Sequence, residues 1–305
     1  MSRSFLSSPS PAGAALPAAP TLPPARGRAR VRRVAYQVLV QALLLSFSAL
    51  FLFPFLWMLS TALKTPQEMF AAVMRLIPRD PQWGNFIRVF SAIPFLRYTL
   101  NTAIITFGTM AGVLLSSSLV AYSFARLRWP GRNLLFVVLL STLMLPGQVI
   151  LIPTFILFSN LGWLDSFAPL VVPAFFGGGA FNIFLLRQFY RTIPFDLTES
   201  ARIDGCREIH IYARIILPLC KPILATIALF TFMGCWNDFF GPLIFLTNPD
   251  LTTLALGLRA FQQQHTAQWD LMMAGALISA LPTLVLFFSF QRYFVEGITL
   301  TGIKG

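Results

Sequence analysis

ESARIDGCREIHIYARIILPLCKP, residues 199–222, is one of the few long polar stretches in an otherwise apolar chain. Its first part predicts a short helix, because residues 195–204 contain neither Gly nor Pro and Asp196 places a carboxylate near the positive end of the helix dipole. Pro194 suits the first turn of this helix, where a missing N–H loses no hydrogen bond. Gly205 follows at the position where helices commonly end in a left-handed residue. We therefore predict a helix that stops at this glycine.

A second helical segment is predicted after the glycine. Ile209, Tyr212 and Ile216 recur at helical spacing, which predicts one apolar face. Pro218 and Pro222 then redirect the chain, because proline interrupts a helix. The same order of helix, glycine and amphipathic helix also occurs in segments that simply lie on a membrane surface.

The composition excludes a soluble protein. Of the 305 residues, 56% are hydrophobic and 11% are charged, whereas ordinary soluble domains carry roughly 25% charged residues. The net charge of +12 does not indicate nucleic-acid binding, because the basic residues cluster in the N-terminal tail and in loops between apolar runs. The sequence contains no metal-ligand spacing and no nucleophile–base constellation, so we expect neither a metal site nor a catalytic site.

Six stretches are long and apolar enough to cross a membrane, for which roughly 20 residues are needed. We predict an all-α, polytopic integral membrane protein whose six transmembrane helices lie in a domain of residues 34–305. The predicted spans are about 35–62, 98–122, 133–158, 167–188, 221–246 and 270–292. Residues 1–33, which are rich in Pro, Ala, Ser and Arg, are predicted to be a disordered tail.

The distribution of basic residues predicts the orientation of these spans. If the N-terminus is inside, 17 of the 23 Lys and Arg residues fall on the cytoplasmic side. Membrane proteins keep such an excess in their cytoplasmic loops. We therefore expect both termini, and the loop of residues 189–220, to be cytoplasmic.

Ten positions within residues 199–222 follow the pattern E-A-A-x-x-D-G, then an aromatic residue, then I-x-L-P. They are Glu199, Ser200, Ala201, Asp204, Gly205, Tyr212, Ile215, Leu217, Pro218 and Pro222. The stretch closely resembles the "EAA" loop of ABC-importer permease subunits, which these subunits use as a coupling helix against their ATP-hydrolysing partners. Ser200 replaces the first alanine of the pattern, and Cys206 replaces the small residue after the glycine.

Other motifs extend the resemblance from about residue 35 to the C-terminus. They are FLRYTLNT at 95–102, ARLRWPGR at 125–132, FLLRQFYRTIP at 184–194, WNDF at 236–239 and FQRYFVEGITLTGIKG at 290–305. They resemble the carbohydrate-importer branch, which includes maltose-type and glycerol-phosphate-type systems, and the second of its two permease chains. The motifs do not identify the sugar.

The resemblance implies a type I ABC-importer permease fold in the bacterial cytoplasmic (inner) membrane. It implies alternating-access transport of a sugar or sugar-like solute. The partners it implies are a second, different permease subunit, a dimer of ATP-binding subunits and an extracytoplasmic solute-binding protein, all at the lipid bilayer. We expect no cofactor on this chain, because it lacks a glycine-rich phosphate loop; ATP and Mg are expected to be used by the partner ATPase.

The resemblance also implies which residues contact that ATPase. They are Glu199, Ser200, Ala201, Asp204, Gly205, Tyr212, Leu217 and Pro218. Small side chains at Ser200 and Ala201 would let the helix enter a groove of the partner, and carboxylates at its rim would bind arginines there.

Candidate residues for a substrate path lie elsewhere. Asp238 is the one acidic residue that the predicted spans clearly enclose, and such carboxylates are functional candidates because burying them unpaired is costly. It would contact a hydroxyl-rich solute, or it would bind backbone amides or Asn237 and hold the next loop, which we favour. Gly178 would either loosen its span for bending or allow close helix packing.

The alternative function is an ion-coupled secondary transporter of small polar solutes. Such a protein would need buried carboxylates or broken-helix ion sites together with weak internal repeats. One intramembrane acid and no visible repeat count against this alternative.

Overall fold

The computed structural model describes residues 26–69, 75–262 and 267–302, with side chains placed between residues 32 and 291 of these ranges. All regular structure in the described residues is helical, so the predicted all-α class is confirmed. The α-helices are α1 (Arg26–Ala62), α2 (Pro66–Met69), α3 (Asn85–Ala92), α4 (Phe95–Arg126), α5 (Arg132–Ser141), α6 (Gly147–Asn160), α7 (Ala168–Val171), α8 (Ala180–Thr192), α9 (Asp196–Ile203), α10 (Glu208–His210), α11 (Leu217–Leu219), α12 (Lys221–Trp236), α13 (Phe240–Phe245), α14 (Leu254–Gly257) and α15 (Trp269–Gly302). A π-helix, Ile211–Ile216, joins α10 to α11.

Four helical segments of the described chain are long and apolar enough to cross a membrane. They are Arg32–Ala62, Phe95–Arg126, Ala168–Thr192 and Trp269–Gln291. Two further pairs of helices reach this length only together, namely Arg132–Met144 with Gly147–Asn160, bent by 100°, and Glu208–Leu219 with Lys221–Trp236, bent by 78°. The described residues thus contain four candidate spans, or six if each bent pair is one span.

Three of the predicted spans are interrupted. Span 167–188 breaks at residues 176–179, before α8, and local chemistry explains the other two breaks. Span 133–158 breaks at Pro146, which has no N–H for a helical hydrogen bond, and α6 starts at the next residue. Predicted span 221–246 ends as a helix at Trp236, and a separate short helix, Phe240–Phe245, follows a turn. The apolar run continues through this turn, which is why hydropathy alone did not reveal the break.

The first helix also begins earlier than expected. It starts at Arg26, inside the segment predicted to be a disordered tail, and residues 1–25 lie outside the described residues. The chain divides into two compact units, one ending at Pro54 and the other beginning at Phe55. In the first unit α1 exposes large apolar side chains such as Phe51, which is 72% exposed. Such a surface is suited to lipid or to another apolar partner.

In the second unit α4 packs against α8 and α12, and α12 packs in turn against α15. Buried apolar side chains form two clusters. One joins the C-terminal half of α4 to α8, residues 201–220 and the start of α12; Tyr190 and Ile211 are fully buried in it. The other joins Phe95 to α3, α15 and the end of α12 at Trp236. Thus α4 and α12 connect the two ends of the unit.

The N-terminal part of α4 holds a distant segment through side-chain hydrogen bonds. The amide of Asn101 donates to the carbonyls of Asp250 and Thr252, both at 2.9 Å. The hydroxyl of Thr102 accepts from the amide of Leu254 at 2.8 Å. Three backbone groups of this irregular segment, among them the amide of the buried Leu254, are thereby satisfied.

Gly178 forms a close contact between the loop that leads into α8 and the middle of α4. Its φ is +64°, and an added Cβ would lie 2.8 Å from the carbonyl oxygen of Val113 and 2.9 Å from Oγ of Ser116. That hydroxyl also donates to the carbonyl of Ala174 at 2.7 Å. Of the two roles considered for Gly178, the contacts favour close packing.

We expect Gly178→Ala to destabilise the protein more than Gly162→Ala. Both glycines have positive φ, +64° and +67°, so both variants incur the left-handed strain of about 1 kcal/mol. Only Gly178→Ala also forces a side chain against backbone, because nothing lies within 4 Å of the Cβ position at Gly162. Thermal unfolding of the two purified variants in one detergent measures the difference, and equal melting temperatures would contradict the contact.

Candidate functional site

The helix and glycine turn predicted from residues 199–205 are present. Gly205 has a φ of +77°. Its amide donates to the carbonyl of Arg202 at 3.0 Å, and the amide of Cys206 donates to the carbonyl of Ala201 at 3.0 Å. These are the two hydrogen bonds of a Schellman motif, which satisfies the last carbonyls of a helix. The left-handed conformation predicted for Gly205 is confirmed, whereas Pro194 lies just before α9 and not in its first turn.

The second helical segment is wound differently from the prediction. Tyr212 and Ile216 are buried as expected, but Ile209 is 57% exposed and Ile211 is fully buried instead. The cause is the π-helix at Ile211–Ile216. Its i→i+5 hydrogen bonds place residues five apart on one face, where an α-helix would align residues three or four apart. Ile211 and Ile216 therefore enter the core together.

Arg126, the last residue of α4, fixes the segment that leads into this loop. It is 2% exposed, and its Nη2 donates to the carbonyls of Tyr190 and Ile193, both at 2.7 Å. Its Nη1 donates to the carbonyl of Pro194 at 3.4 Å. Carbonyls at the end of a helix have no partner within it, and a cation interacts favourably with that end of the dipole. Arg126 therefore caps α8 from the neighbouring helix.

Two tyrosines join α4 and the π-helix through polar groups. The hydroxyl of Tyr122 donates to Oε2 of Glu208 at 2.7 Å, and the hydroxyls of Ser118 and Tyr212 lie 2.6 Å apart. The rings of Tyr122 and Tyr212 meet edge to face with centroids 5.3 Å apart. Such ring pairs and charge-assisted hydrogen bonds are directional. They fix the rotation of the π-helix relative to α4.

Arg202 ties α9 to the same cluster. Its Nε donates to Oε1 of Glu208 at 2.6 Å, and this hydrogen bond raises the pKa of Arg202. The ring of Phe195 lies near two guanidinium groups. Its centre is 5.8 Å from the guanidinium carbon of Arg202 and 5.5 Å from that of Arg126. The ion pair is partly exposed and stabilises the protein little by itself. The carboxylate of Glu208 is shared, because it accepts from Arg202 of α9 and from Tyr122 of α4. It therefore links these two helices.

The residues predicted to contact a partner divide into an outer and an inner set. The exposed set is Glu199, Ser200, Asp204, Gly205 and Pro218, while Leu217 is half-buried. Ala201 and Tyr212 are 6% and 7% exposed and belong to the apolar cluster at this end of α4. Ala201 was expected to face a partner, but it lies on the side of α9 that packs on this chain and is therefore buried.

One exposed residue of this surface was missed from the sequence. Ile203 is 86% exposed, at the last position of α9 beside the acidic residue Asp204. An apolar side chain so fully exposed is a common mark of a docking surface when polar groups surround it. The signal in the sequence was an isoleucine directly before the Asp-Gly turn.

Each residue proposed for a substrate path makes local contacts within this chain. Asp238 lies in the turn after α12, and its Oδ1 accepts from the amides of Phe240 and Gly241, both at 3.1 Å. Asn237 donates to the carbonyl of Met233 at 2.9 Å. These contacts favour the structural role for Asp238, which starts the next short helix. Gly178 packs against α4, as described above.

The described chain is thus a set of membrane-length helices that carries a rigid exposed loop, and no described group of three or more His, Cys, Asp or Glu residues could hold a metal. Helices of this length and composition are those of an integral membrane protein. Residues 108–300 match the family described as the inner membrane component of binding-protein-dependent transport systems. The chain belongs to this family.

Relatives and a solved structure agree with this assignment. The chain is 30% identical to the arabinooligosaccharides transport system permease protein AraQ of Bacillus subtilis, over 88% of this chain and 96% of that protein. It is 36% identical to the sn-glycerol-3-phosphate transport system permease protein UgpE of Escherichia coli O1:K1, over 82% of this chain and 91% of that protein. In fold it resembles a chain of a bacterial ABC transporter that imports the acidic polysaccharide alginate, with a TM-score of 0.75, 24% identity, and coverage of 87% of this chain and 98% of that one. The predicted permease fold is confirmed.

We expect Tyr122→Phe and Glu208→Gln to destabilise the loop in a non-additive way. Each change weakens the same 2.7 Å hydrogen bond, and a bond to a charged group contributes about 1.5–3 kcal/mol. A double-mutant cycle on thermal unfolding should give a coupling energy of about 1 kcal/mol or more. Ser200→Ala is the control, because this exposed hydroxyl bonds only within α9. Strictly additive effects would show that the hydrogen bond is not formed.

Proposed function

We propose that this chain is a permease subunit of an ATP-driven ABC importer that moves a sugar or sugar-like solute by alternating access. The relatives AraQ and UgpE, whose names refer to arabinooligosaccharides and sn-glycerol 3-phosphate, support the solute class. The observation that carries the coupling role is the outer face at α9. It exposes Glu199, Ile203 and the following Asp204, while Ala201 on the inner face belongs to the apolar cluster at this end of α4.

The coupling is mechanical in this proposal. Ile203 enters an apolar groove of an ATP-binding subunit, and the carboxylates of Glu199 and Asp204 bind basic side chains at the rim of that groove. Closure of the ATP-binding dimer then displaces α9. Because Arg126 and Tyr122 connect this region to the end of α4, the displacement tilts α4 as a rigid body.

The remaining components come from other chains. ATP and Mg act on the partner ATPase, while a second permease subunit and an extracytoplasmic solute-binding protein complete the importer. The ion-coupled alternative gains no support, since the carboxylate of Asp238 is already engaged by two backbone amides.

We expect Ile203→Asp to abolish ATP-driven uptake in complexes reconstituted into proteoliposomes. It places a charge where the apolar contact should be, and burying an unpaired charge costs several kcal/mol, so uptake should fall at least tenfold. Ile203→Val is the matched control and should retain uptake, because it keeps an apolar side chain. Suitable solutes are an arabinooligosaccharide and sn-glycerol 3-phosphate. Wild-type uptake that follows an ion gradient and ignores ATP would overturn the proposal, as would normal uptake by Ile203→Asp.

We also propose that both termini and the loop around α9 are cytoplasmic, on the strength of the basic residues counted above. Cys206 is exposed and Cys220 is buried, so Cys206 serves as a native reporter once Cys235 is replaced. A membrane-impermeant thiol reagent added to intact cells should not label it. It should label Gln262→Cys, at an exposed position near the other end of α4. The reverse labelling pattern would overturn the orientation.

A further inference from the structure

A cavity of about 290 Å³ lies between the end of α1, α2 and the start of α15. It is far from the loop around α9. The Asn85 side chain of α3 donates to the carbonyls of Ala62 and Lys64 at 3.0 and 3.4 Å, so α3 holds the end of α1 at the cavity wall. The lining residues include Trp57, Thr61, Lys64, Glu68 and Trp269.

Lys64 is a buried cation at this cavity. It is 6% exposed, and its Nζ lies 4.8 Å from the centre of the Trp57 ring. Among the described residues no carboxylate lies within the 4.0 Å of an ion pair with Lys64. An ammonium group carries three donors and no acceptor. An acceptor oxygen beside a cation in such an apolar environment is favourable, so Lys64 is placed to donate to an oxygen that enters the cavity.

Glu68 presents the complementary requirement. Its Oε1 accepts from the amide of Arg79 at 2.9 Å. Its Oε2 is buried, and no described group donates to it. An ionised carboxylate can only accept hydrogen bonds. Among the residues that the structure describes, the same cavity thus contains a donor without an acceptor and an acceptor without a donor, beside the indoles of Trp57 and Trp269.

These requirements define the chemistry of a ligand. An anion would suit Lys64 but would be repelled by Glu68, and a cation would suit Glu68 but be repelled by Lys64. A hydroxyl group both donates and accepts, so two neighbouring hydroxyls on one ring can satisfy both side chains. The apolar C–H face of a sugar ring can pack on an indole. The volume is at the lower end of the range for ligand sites, roughly 300 Å³ upward, which suits a single ring.

We infer that this cavity binds one neutral sugar ring, with Lys64 donating to one hydroxyl and Glu68 accepting from its neighbour. This inference rests on the proposed function for the class of solute. It adds a binding site at the end of the bundle opposite the coupling loop. In the proposed orientation this end faces the outside, so a sugar would bind there before it crosses the membrane.

The test is sugar binding to the full-length chain in lipid nanodiscs. The probes are arabinobiose, maltose and inorganic phosphate, and binding is followed by tryptophan fluorescence and by calorimetry. We expect saturable binding of at least one sugar, no competition by phosphate, and at least a tenfold weaker Kd in Lys64→Met and in Glu68→Gln. Trp83→Phe is the control, because this indole is 65% exposed and lies outside the cavity lining. It should leave the Kd unchanged.

Three results would overturn the inference. They are the absence of saturable binding by either sugar, an unchanged Kd in both cavity variants, and displacement of the sugar by phosphate. Thermal unfolding verifies folding, since Lys64→Met removes a buried charge and should not lower the melting temperature. Failure here is distinct from failure of the proposed function. A Lys64→Met complex with normal ATP-driven uptake and normal half-saturation would refute this site alone, whereas uptake independent of ATP would refute the importer assignment.

Discussion

The hydrogen bonds from the Arg126 guanidinium to the carbonyls of Tyr190 and Ile193 are the constraint on which this end of the molecule depends. They join the last residue of α4 to the last turn of α8, and they leave Phe195 packed against the same guanidinium as the chain enters α9. Without Arg126, buried carbonyls at the end of α8 would lose their donors, which is costly in an apolar environment. The position of α9 would then depend mainly on the contacts of Glu208.

Side-chain hydrogen bonds hold irregular segments at both ends of α4. At one end Arg126 and Tyr122 bind the segments on either side of α9, and at the other end Asn101 and Thr102 bind residues 250–254. In each case a side chain of a long helix satisfies polar groups of an irregular segment. A helix with such attachments moves as a unit with what it holds. In the proposed mechanism, a movement of α9 would therefore reach residues 250–254 through α4.

The sequence predicted features that follow from local rules and missed those that depend on packing. The positive φ of Gly205 was predictable because a helix end imposes it. The inward side of Ala201 was not, because an eight-residue helix with few apolar residues does not reveal which face its own chain covers. The π-helix shifted the buried face from Ile209 to Ile211, which no periodicity could reveal. In the sequence Lys64 was one of the basic residues assigned to the outer side. Its burial could not be predicted, because burial depends on the folded chain.

The bend of 100° between α5 and α6 has a consequence for how this chain matures in the cell. These two helices, all of whose residues are described, bury only Phe136 and Phe158, and they expose side chains such as Ile152 at 70%. A helix break at membrane depth is tolerated where protein or a water-filled cavity covers it. The exposed apolar faces of α5 and α6 therefore suit burial against another subunit, and we expect a copy without such a partner to be short-lived in the membrane.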